Sequence, residues 1–439
     1  MLEQLRLNEV GPADAMEIDF SERLNIITGD NGLGKSFLLD VAWWALTRSW
    51  AARPVVPVMR RKLKARIGFT VKAKTRSVSD DCDFDRVAQS WKRAVGRPAI
   101  PGLVIYAQSD GGYSIWDPAR NYSNAKQKDT EAERWPSFVF TAQEVWDGLP
   151  LNEPKKRCNG LVSDWAAWQR EDGEAFAQLS RALSALSPKE GETLEAGKLE
   201  RLDIDDARQF PTLRMPYGQD VPVVHASAGM RRIIALAYLL VWTWQEHLIA
   251  SKRRGTKPTR QIVFLIDEIE SHLHPKWQRQ IFNSVLEVMD ALVGKTAATK
   301  VQVIAVTHSP LILASLEPTF NPAIDALFDL DLERAPGGKQ CVVLRKKVWE
   351  KKGTVDRWLT SDIFELKQAR SQEAERVIEA VIAAMQSEHV TARKARQLDD
   401  QLARVLSDAD PLWSRWRFVA ERKGWLPPES KGWLPAEKE

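Results

Sequence analysis

Apolar residues cluster in short runs near the N-terminus and again between residues 262 and 306, with stripes at helical spacing between and beyond them. Gln4–Asn8 and Met16–Phe20 read as two short strands joined by a turn at Gly11 and Pro12. A third strand, Leu24–Thr28, runs straight into a glycine-rich turn. A helix is expected from about Lys35 to Arg48, with Phe37, Leu38, Val41, Ala42 and Ala45 on one stripe. Val104 and Tyr106 on one side and Tyr113 and Ile115 on the other sit at alternate positions around Asp110-Gly111-Gly112, which suggests a hairpin. Val162–Leu186 has helical spacing, carried by Trp165, Trp168, Phe176, Leu179, Leu183 and Leu186. A charged linker, Ser187–Arg201, a strand-like piece at Leu213–Met215 and a strong helix over Met230–Ile249 follow. The strands Ile262–Ile266 and Val301–Val306 enclose a helix from Pro275 to about Leu292, an order that predicts parallel pairs under helical cover. A hairpin, Ala326–Leu332 with Gln340–Leu344, turns at Pro336-Gly337-Gly338, and a helical tail spans Ser371–Leu406.

Composition narrows this picture without changing it. The 439 residues are 44% hydrophobic and 28% charged, as in a globular, water-soluble chain. The first ten residues, MLEQLRLNEV, carry charges where a signal peptide needs an apolar run. Ile233–Trp244 is the best membrane-span candidate; it is too short and carries Thr243. Cys82, Cys158 and Cys341 are scattered, so neither a disulfide framework nor a zinc site is suggested. A cytoplasmic location without a membrane partner is expected. A net charge of +4, from 63 basic and 59 acidic residues, permits a nucleic-acid partner without demanding one. Many of the eighteen tryptophans sit in helical patterns that suit a core.

The chemistry begins at Gly29-Asp30-Asn31-Gly32-Leu33-Gly34-Lys35-Ser36, which matches the phosphate-loop pattern G-x-x-x-x-G-K-[ST]. Its glycines let backbone N–H groups turn towards a β-phosphate, and the following helix adds its N-terminal dipole. The nucleotide-binding stretch is Asp30 to Phe37, in which Lys35 would reach the β- and γ-phosphates and Ser36 would bind Mg²⁺. The strand Ile262–Ile266 then delivers Asp267 and Glu268, one carboxylate for the metal and one for the attacking water. A further strand delivers Thr307-His308-Ser309-Pro310, with His308 placed to orient the γ-phosphate or the water. His272 and His274 lack a third nearby ligand, so a metal site there is not expected.

With these motifs in this order the chain resembles the ABC ATPase superfamily, in its RecF/SMC-like branch. The resemblance implies an α/β fold: an ABC-ATPase head with a phosphate-loop core sheet, flanking helices and an N-terminal antiparallel β part. It implies an N-terminal lobe (1–150), a short helical insertion (151–222), a C-terminal lobe (223–345) and a mostly helical C-terminal extension (346–439). ATP and Mg²⁺ would be its cofactors, and a head-to-tail homodimer its working form. Gln143, in Phe138-Val139-Phe140-Thr141-Ala142-Gln143, would sense metal and γ-phosphate from a strand end, with Gln108 as a weaker rival. Ser227 and Gly229, in Ala226-Ser227-Ala228-Gly229-Met230, would form the signature that meets the partner's γ-phosphate. Ala228 and Met230 depart from the usual signature residues.

Three uses of such an engine can be set side by side. Ser227 lies 84 positions after Gln143, too few for the long coiled coil of the SMC branch, and heptads are not sustained. A transporter motor would need a membrane partner, and Glu270-Ser271-His272-Leu273-His274-Pro275 is unlike such motors. A built-in nuclease would need an acidic cluster on its own sheet. Asp329, Asp331 and Glu333 read instead as exposed carboxylates alternating on a strand. By resemblance the chain is grouped with stand-alone bacterial ATPases of the Septu and retron-linked defence type. That implies a separate nuclease partner and a role in antiphage defence. Two basic stretches, Arg60 to Arg66 with Lys72, Lys74 and Arg76, and Arg345 to Lys352, suit either double-stranded DNA or a solvated strand face. The repeat Lys423–Pro427 and Lys431–Pro435 suits either a peptide dock or a duplication without function.

Overall fold

The computed structural model describes residues 1–51, 53–57, 64–73, 76–92, 99–121, 137–152, 155–188, 193–293, 300–334, 338, 340–387 and 389–427. Arg60–Leu63, Lys74, Pro336, Gly337 and the second copy of the terminal repeat lie outside them. The chain divides into two compact units, Met1–Val355 and Asp356–Glu439.

In the first unit, β1 (Leu2–Asn8) and β2 (Ala15–Asp19) form an antiparallel pair. β3 (Leu24–Gly29) leaves them for a second sheet and runs through a turn into α1 (Lys35–Thr47). β4 (Arg66–Lys72), β5 (Ser77–Asp85) and β6 (Ser90–Trp91) complete the first sheet in the order β2-β1-β4-β5-β6, antiparallel throughout. β7 (Leu103–Ala107), β8 (Tyr113–Trp116), the short α2 (Pro118–Asn121), β9 (Phe138–Phe140) and α3 (Ala142–Asp147) follow. Then come the hairpin β10 (Leu149–Asn152) and β11 (Lys155–Cys158), and the helices α4 (Leu161–Glu171) and α5 (Glu174–Leu186). A small antiparallel sheet, β12 (Glu195–Ala196), β13 (Thr212–Arg214) and β14 (Asp220–Pro222), precedes α6 (Ala228–Arg253). The unit ends with β15 (Gln261–Asp267), α7 (Pro275–Gln278), α8 (Ile281–Val293), β16 (Lys300–Val306), α9 (Pro310–Leu316), β17 (Asp325–Arg334) and β18 (Gln340–Lys347).

The second sheet runs β18-β17-β3-β16-β15-β7-β8-β9. Its five inner strands, from β17 to β7, are parallel, and antiparallel strands close both edges. β15 is a continuous apolar run from Ile262 to Ile266 and β3 is buried from Leu24 to Thr28, whereas β2 alternates buried and exposed positions. α1 lies in a core shared by both sheets: its buried residues join Leu5, Ile67 and Phe69 of the first to Val104, Tyr106, Val263 and Ile304 of the second. That explains why the single stripe expected of α1 widens. Leu39, Trp43, Trp44 and Leu46 are also buried, and Phe37 is only half-buried. Gln302 of β16 stitches the sheets together, accepting from Leu2 N (2.8 Å) and donating to the carbonyls of Leu2 (2.7 Å) and Ser21 (2.9 Å).

Three helices expected to be continuous are broken. The first ends at Glu171, where Asp172 takes a left-handed conformation (φ 49°) and Gly173 restarts the chain as α5. The second divides between Gln278 and Ile281. α6 is longer than expected, beginning at Ala228 rather than Met230. It has the length and composition of a membrane span, but Ile233 to Trp244 are all buried in the fold. The stretch 151–222 holds strands as well as helices.

α10 (Val355–Leu359) straddles the junction between units. The second unit carries α11 (Gln372–Gln386), α12 (Ala392–Val405) and α13 (Pro411–Arg422), where one continuous tail to Leu406 was expected. Side-chain caps at Ser371, Thr391 and Asp410 restart each helix. Its core holds Ile378, Val381, Leu398, Leu402 and Trp416. Trp425 and Leu426, from the first copy of the repeat, are buried in that core, so this copy packs rather than projects.

Candidate functional site

The C-terminal ends of β3, β15, β16 and β7 lie side by side, and the predicted chemistry sits on them. β3 ends at Gly29, and the turn through Asp30, Asn31, Gly32 and Leu33 reaches Gly34, whose φ of 95° favours glycine. No side chain caps α1, leaving its first N–H groups open to an anion. Lys35 is buried at the helix start and donates to the carbonyls of Gly29 (2.8 Å) and Asp30 (2.6 Å). Burial lowers its pKa, opposed by the charges of Glu268, Asp30, Asp267 and Asp329.

Ser36, next along α1, stands close enough to Asp267 at the end of β15 for its hydroxyl to pull that carboxyl's pKa down. Asp267 is buried, which raises its pKa; Glu268 pushes the same way, while the Ser36 and Ser109 hydroxyls and Arg232 oppose. Its Oδ1 is buried and meets no hydrogen-bond donor among the described residues. An orphaned carboxylate oxygen beside a serine hydroxyl is a donor set that fits a hard divalent cation. No group of three or more His, Cys, Asp or Glu side chains among the described residues could hold a metal. A Mg²⁺ at Ser36 and Asp267 would therefore take its remaining ligands from phosphate and water.

Glu268 has a left-handed backbone (φ 47°), and its side chain is one-third exposed. His308, just past β16, places Nε2 3.3 Å from Glu268 Oε1. Burial, then the Lys35 charge, lowers the His308 pKa against the opposing pull of Glu268. The lowered pKa favours a neutral imidazole beside Glu268. Asp30, Lys35, Ser36, Asp267, Glu268 and His308 thus form one electrostatically connected group.

Gln143 does not join it. The residue was expected at a strand end, but Thr141 and Glu144 build a capping box that starts α3 at Ala142. Gln143 is exposed on the first turn and points its amide at Asp147 Oδ2 (3.5 Å). Gln108 follows β7, which pairs with β15 so that Ile266 faces Ala107. Its carbonyl, with those of Ser109, Asp267 and Glu268, accepts from the Arg232 guanidinium at 2.9–3.3 Å.

Ser227 is the N-cap of α6, accepting from Met230 N (3.3 Å), and both Ser227 and Ala228 are exposed. A Cβ at Gly229 would stand 2.7 Å from the His272 carbonyl oxygen, so glycine permits α6 to approach the loop after β15. His272 has a φ of 68°, and His274 caps α7 by accepting from Lys276 N (3.3 Å). Neither histidine belongs to a metal-ligating group among the described residues.

Sequence reasoning missed Arg232, Glu270 and Asp329. Arg232 follows the signature by three residues and could have been flagged as a cation on its first turn. Asp329 was expected to be exposed; it is buried, accepts from the Thr28 hydroxyl (3.1 Å) and pairs with Lys347 (3.5 Å). The reason is the position of β17 beside β3, which turns Asp329 inward towards the phosphate loop. In the alternation it is Leu332 that is exposed, while Asp331 and Glu333 are half-buried. Much of the basic character is also paired internally: Arg66 with Asp83, Lys72 with Glu22, Arg345 with Glu333 and Lys352 with Glu350.

Residues 83–314 match the family described as "AAA domain, putative AbiEii toxin, Type IV TA system", and residues 4–144 match a second AAA-domain family. The chain belongs to the first of these AAA-domain families. It is an ATPase of the AAA/ABC kind. It is 21% identical over 359 residues to the Septu protein PtuA of Bacillus thuringiensis, covering 76% of this chain and 79% of that protein. To the Septu protein PtuA of Bacillus mycoides (strain KBAB4) it is 32% identical over 140 residues, covering 32% of this chain but 16% of the other. A probable ATPase of retron Vc95 from Vibrio cholerae serotype O1 biovar El Tor is 28% identical, over 30% of this chain and 29% of that protein. Among solved structures, the SMC head domain from Thermotoga maritima matches with 14% identity and a TM-score of 0.37, covering 79% of this chain and 99% of that one.

Proposed function

We infer that this AAA-family ATPase binds Mg-ATP between two head-to-tail copies and uses turnover to control a separate effector of nuclease type, in antiphage defence. The observation that carries the reading is the convergence of Lys35, Ser36, Asp267, Glu268 and His308 on adjacent strand ends, with Glu268 and His308 3.3 Å apart.

In this reading residues 30–37 bind the triphosphate, with Lys35 against its β- and γ-oxygens. Bound Mg²⁺, held by Ser36 and Asp267, supplies charge stabilisation at the phosphates. Glu268 takes the proton of the attacking water, and His308 steadies Glu268 and the γ-phosphate. Gln143 and Gln108 are rival sensors of metal and γ-phosphate. Ser227 and Gly229 meet the nucleotide of the second copy, since α6 begins at exposed residues and a helix N-terminus favours an anion. The effector is inferred from the likeness to Septu protein PtuA, which extends over 79% of that relative's length.

The test is sedimentation of the full chain and of Glu268→Gln with and without Mg-ATP. The variant should retain ATP and accumulate as a dimer. A monomer that holds ATP at saturation would end the head-to-tail reading. Purification of the tagged chain from its native host in Mg-ATP tests the effector. A nuclease should accompany it, whereas a membrane-protein partner would favour a transporter motor.

A further inference from the structure

Glu270 lies two residues past Glu268, on the loop that leads from β15 into α7. Its carboxylate is buried, at 8% exposure. Oε1 accepts from the Thr307 hydroxyl (2.6 Å) and from the His308 backbone N–H (2.9 Å). Oε2 is buried and receives no hydrogen bond among the described residues. A second side chain makes a parallel link: Gln278 donates to the Leu273 carbonyl (2.9 Å) and accepts from the Ser309 hydroxyl (2.7 Å). Residues 307–309 are therefore tied to loop 269–273 at two points.

The far side of that loop faces the signature. Gly229 leaves no room for a Cβ against the His272 carbonyl, so a shift of the α6 N-terminus meets the loop directly. Leu273 N donates to Glu270 O (2.9 Å), which stiffens the connection between the two contacts. A buried carboxylate is costly unless its bonds compensate, and here both donors come from the segment that carries His308.

We propose that Glu270 is the positioning residue for His308. By holding the Thr307 hydroxyl and the His308 N–H, it sets the imidazole against Glu268 and transmits displacement of the α6 N-terminus to that pair. This deepens the ATPase reading above and rests on its assignment of Glu268 and His308.

Steady-state Mg-ATP hydrolysis by the full chain, by Glu270→Ala and by Glu270→Gln tests it. Glutamine keeps an acceptor oxygen for both donors; alanine keeps none. Glu270→Ala should lower kcat by about 10- to 100-fold, as a misplaced catalytic group does, with KM for ATP within about twofold. Glu270→Gln should recover most of that loss. Equal loss in both variants would overturn the proposal, because the negative charge itself would then be needed. Parental kcat in Glu270→Ala would also overturn it. Thr307→Val covers a failure of Glu270→Ala to fold: it removes one donor and should lower kcat by about threefold to tenfold, again at constant KM. Parental kcat there would overturn the proposal. Glu268→Gln separates the two levels. If it hydrolyses ATP at the parental rate, the site reading fails. If it is inactive while Glu270→Ala and Thr307→Val run normally, positioning alone fails.

Discussion

Two glycine-containing segments each open a helix in this chain, residues 29–34 before α1 and 226–229 across the start of α6, and they spend their polar groups differently. At α1 no side chain caps the helix, while Lys35 holds two loop carbonyls and Ser36 stands beside Asp267. The surrounding chain supplies cation, hydroxyl and carboxylate, around open N–H groups. At α6 Ser227 caps its own helix and, with Ala228, stands exposed. Arg232, one turn on, reaches back to the carbonyls around Asp267. One loop is a site equipped by its own fold; the other is an exposed helix end tied to that site from behind. On the head-to-tail reading proposed above, the difference makes them two unlike halves of one site, which two copies would complete.

The largest expected effect is at Glu268. Glu268→Gln leaves both loops intact and removes the base, so kcat should fall by about 10²- to 10⁴-fold with ATP affinity retained. Turnover and equilibrium binding on the same preparation check this, and parental turnover would remove Glu268 from its role. Lys35→Ala strikes the equipped half: ATP affinity should weaken by about 100-fold in titration calorimetry, the loss expected for a charge-assisted phosphate contact. Ser227→Arg strikes the exposed half. Binding to the monomer should stay within about threefold of the parent while nucleotide-driven pairing and turnover are lost. Weakened monomer binding would show that α6 serves its own chain's nucleotide, erasing the comparison.

The smallest effect concerns Asp40, one helical turn beyond Ser36. Its carboxyl accepts from the Tyr106 hydroxyl (3.1 Å), and burial pushes its pKa up to about 6. A folded-state value above the unfolded one means that the stability is fully present below about pH 4 and is lost as pH rises through about 6. Asp40→Asn should therefore raise stability by about 1–3 kcal/mol at pH 8, after allowance for partial exposure. At pH 4 it should change little. Thermal unfolding at both pH values checks this, and an equal gain at both would point to packing instead of charge.

The pieces of the site with local signatures were legible in the sequence. Glycine spacing marks residues 29–36, and apolar runs ending in Asp267-Glu268 and Thr307-His308 mark strands buried on both faces. Helix breaks were less legible, because the left-handed turn at Asp172 leaves the apolar spacing on either side unchanged. The apolar run Phe138–Phe140 suggests a strand continuing to Gln143, whereas the capping box of Thr141 and Glu144 ends it and starts α3. Arg232, Glu270 and Asp329 were missed for another reason. Their partners lie 18 to 301 positions away along the chain, so no local pattern carries them. The buried face of Asp329 depends on β17 pairing with β3, which is a property of the sheet order.

That sheet order also governs when the protein can begin to work. The strand leading into the phosphate loop is in place by residue 29, yet its two neighbours in the sheet are β16 and β17, from some 270 residues later. A chain emerging from a ribosome carries its glycine loop early and cannot brace it until residues near 330 have been made. Such distant pairings are slow to form, because loop closure must precede any reward. ATP, by binding only the braced form, would favour the completed fold over its unfinished precursors. Synthesis and nucleotide supply would then set together how soon a new copy becomes competent.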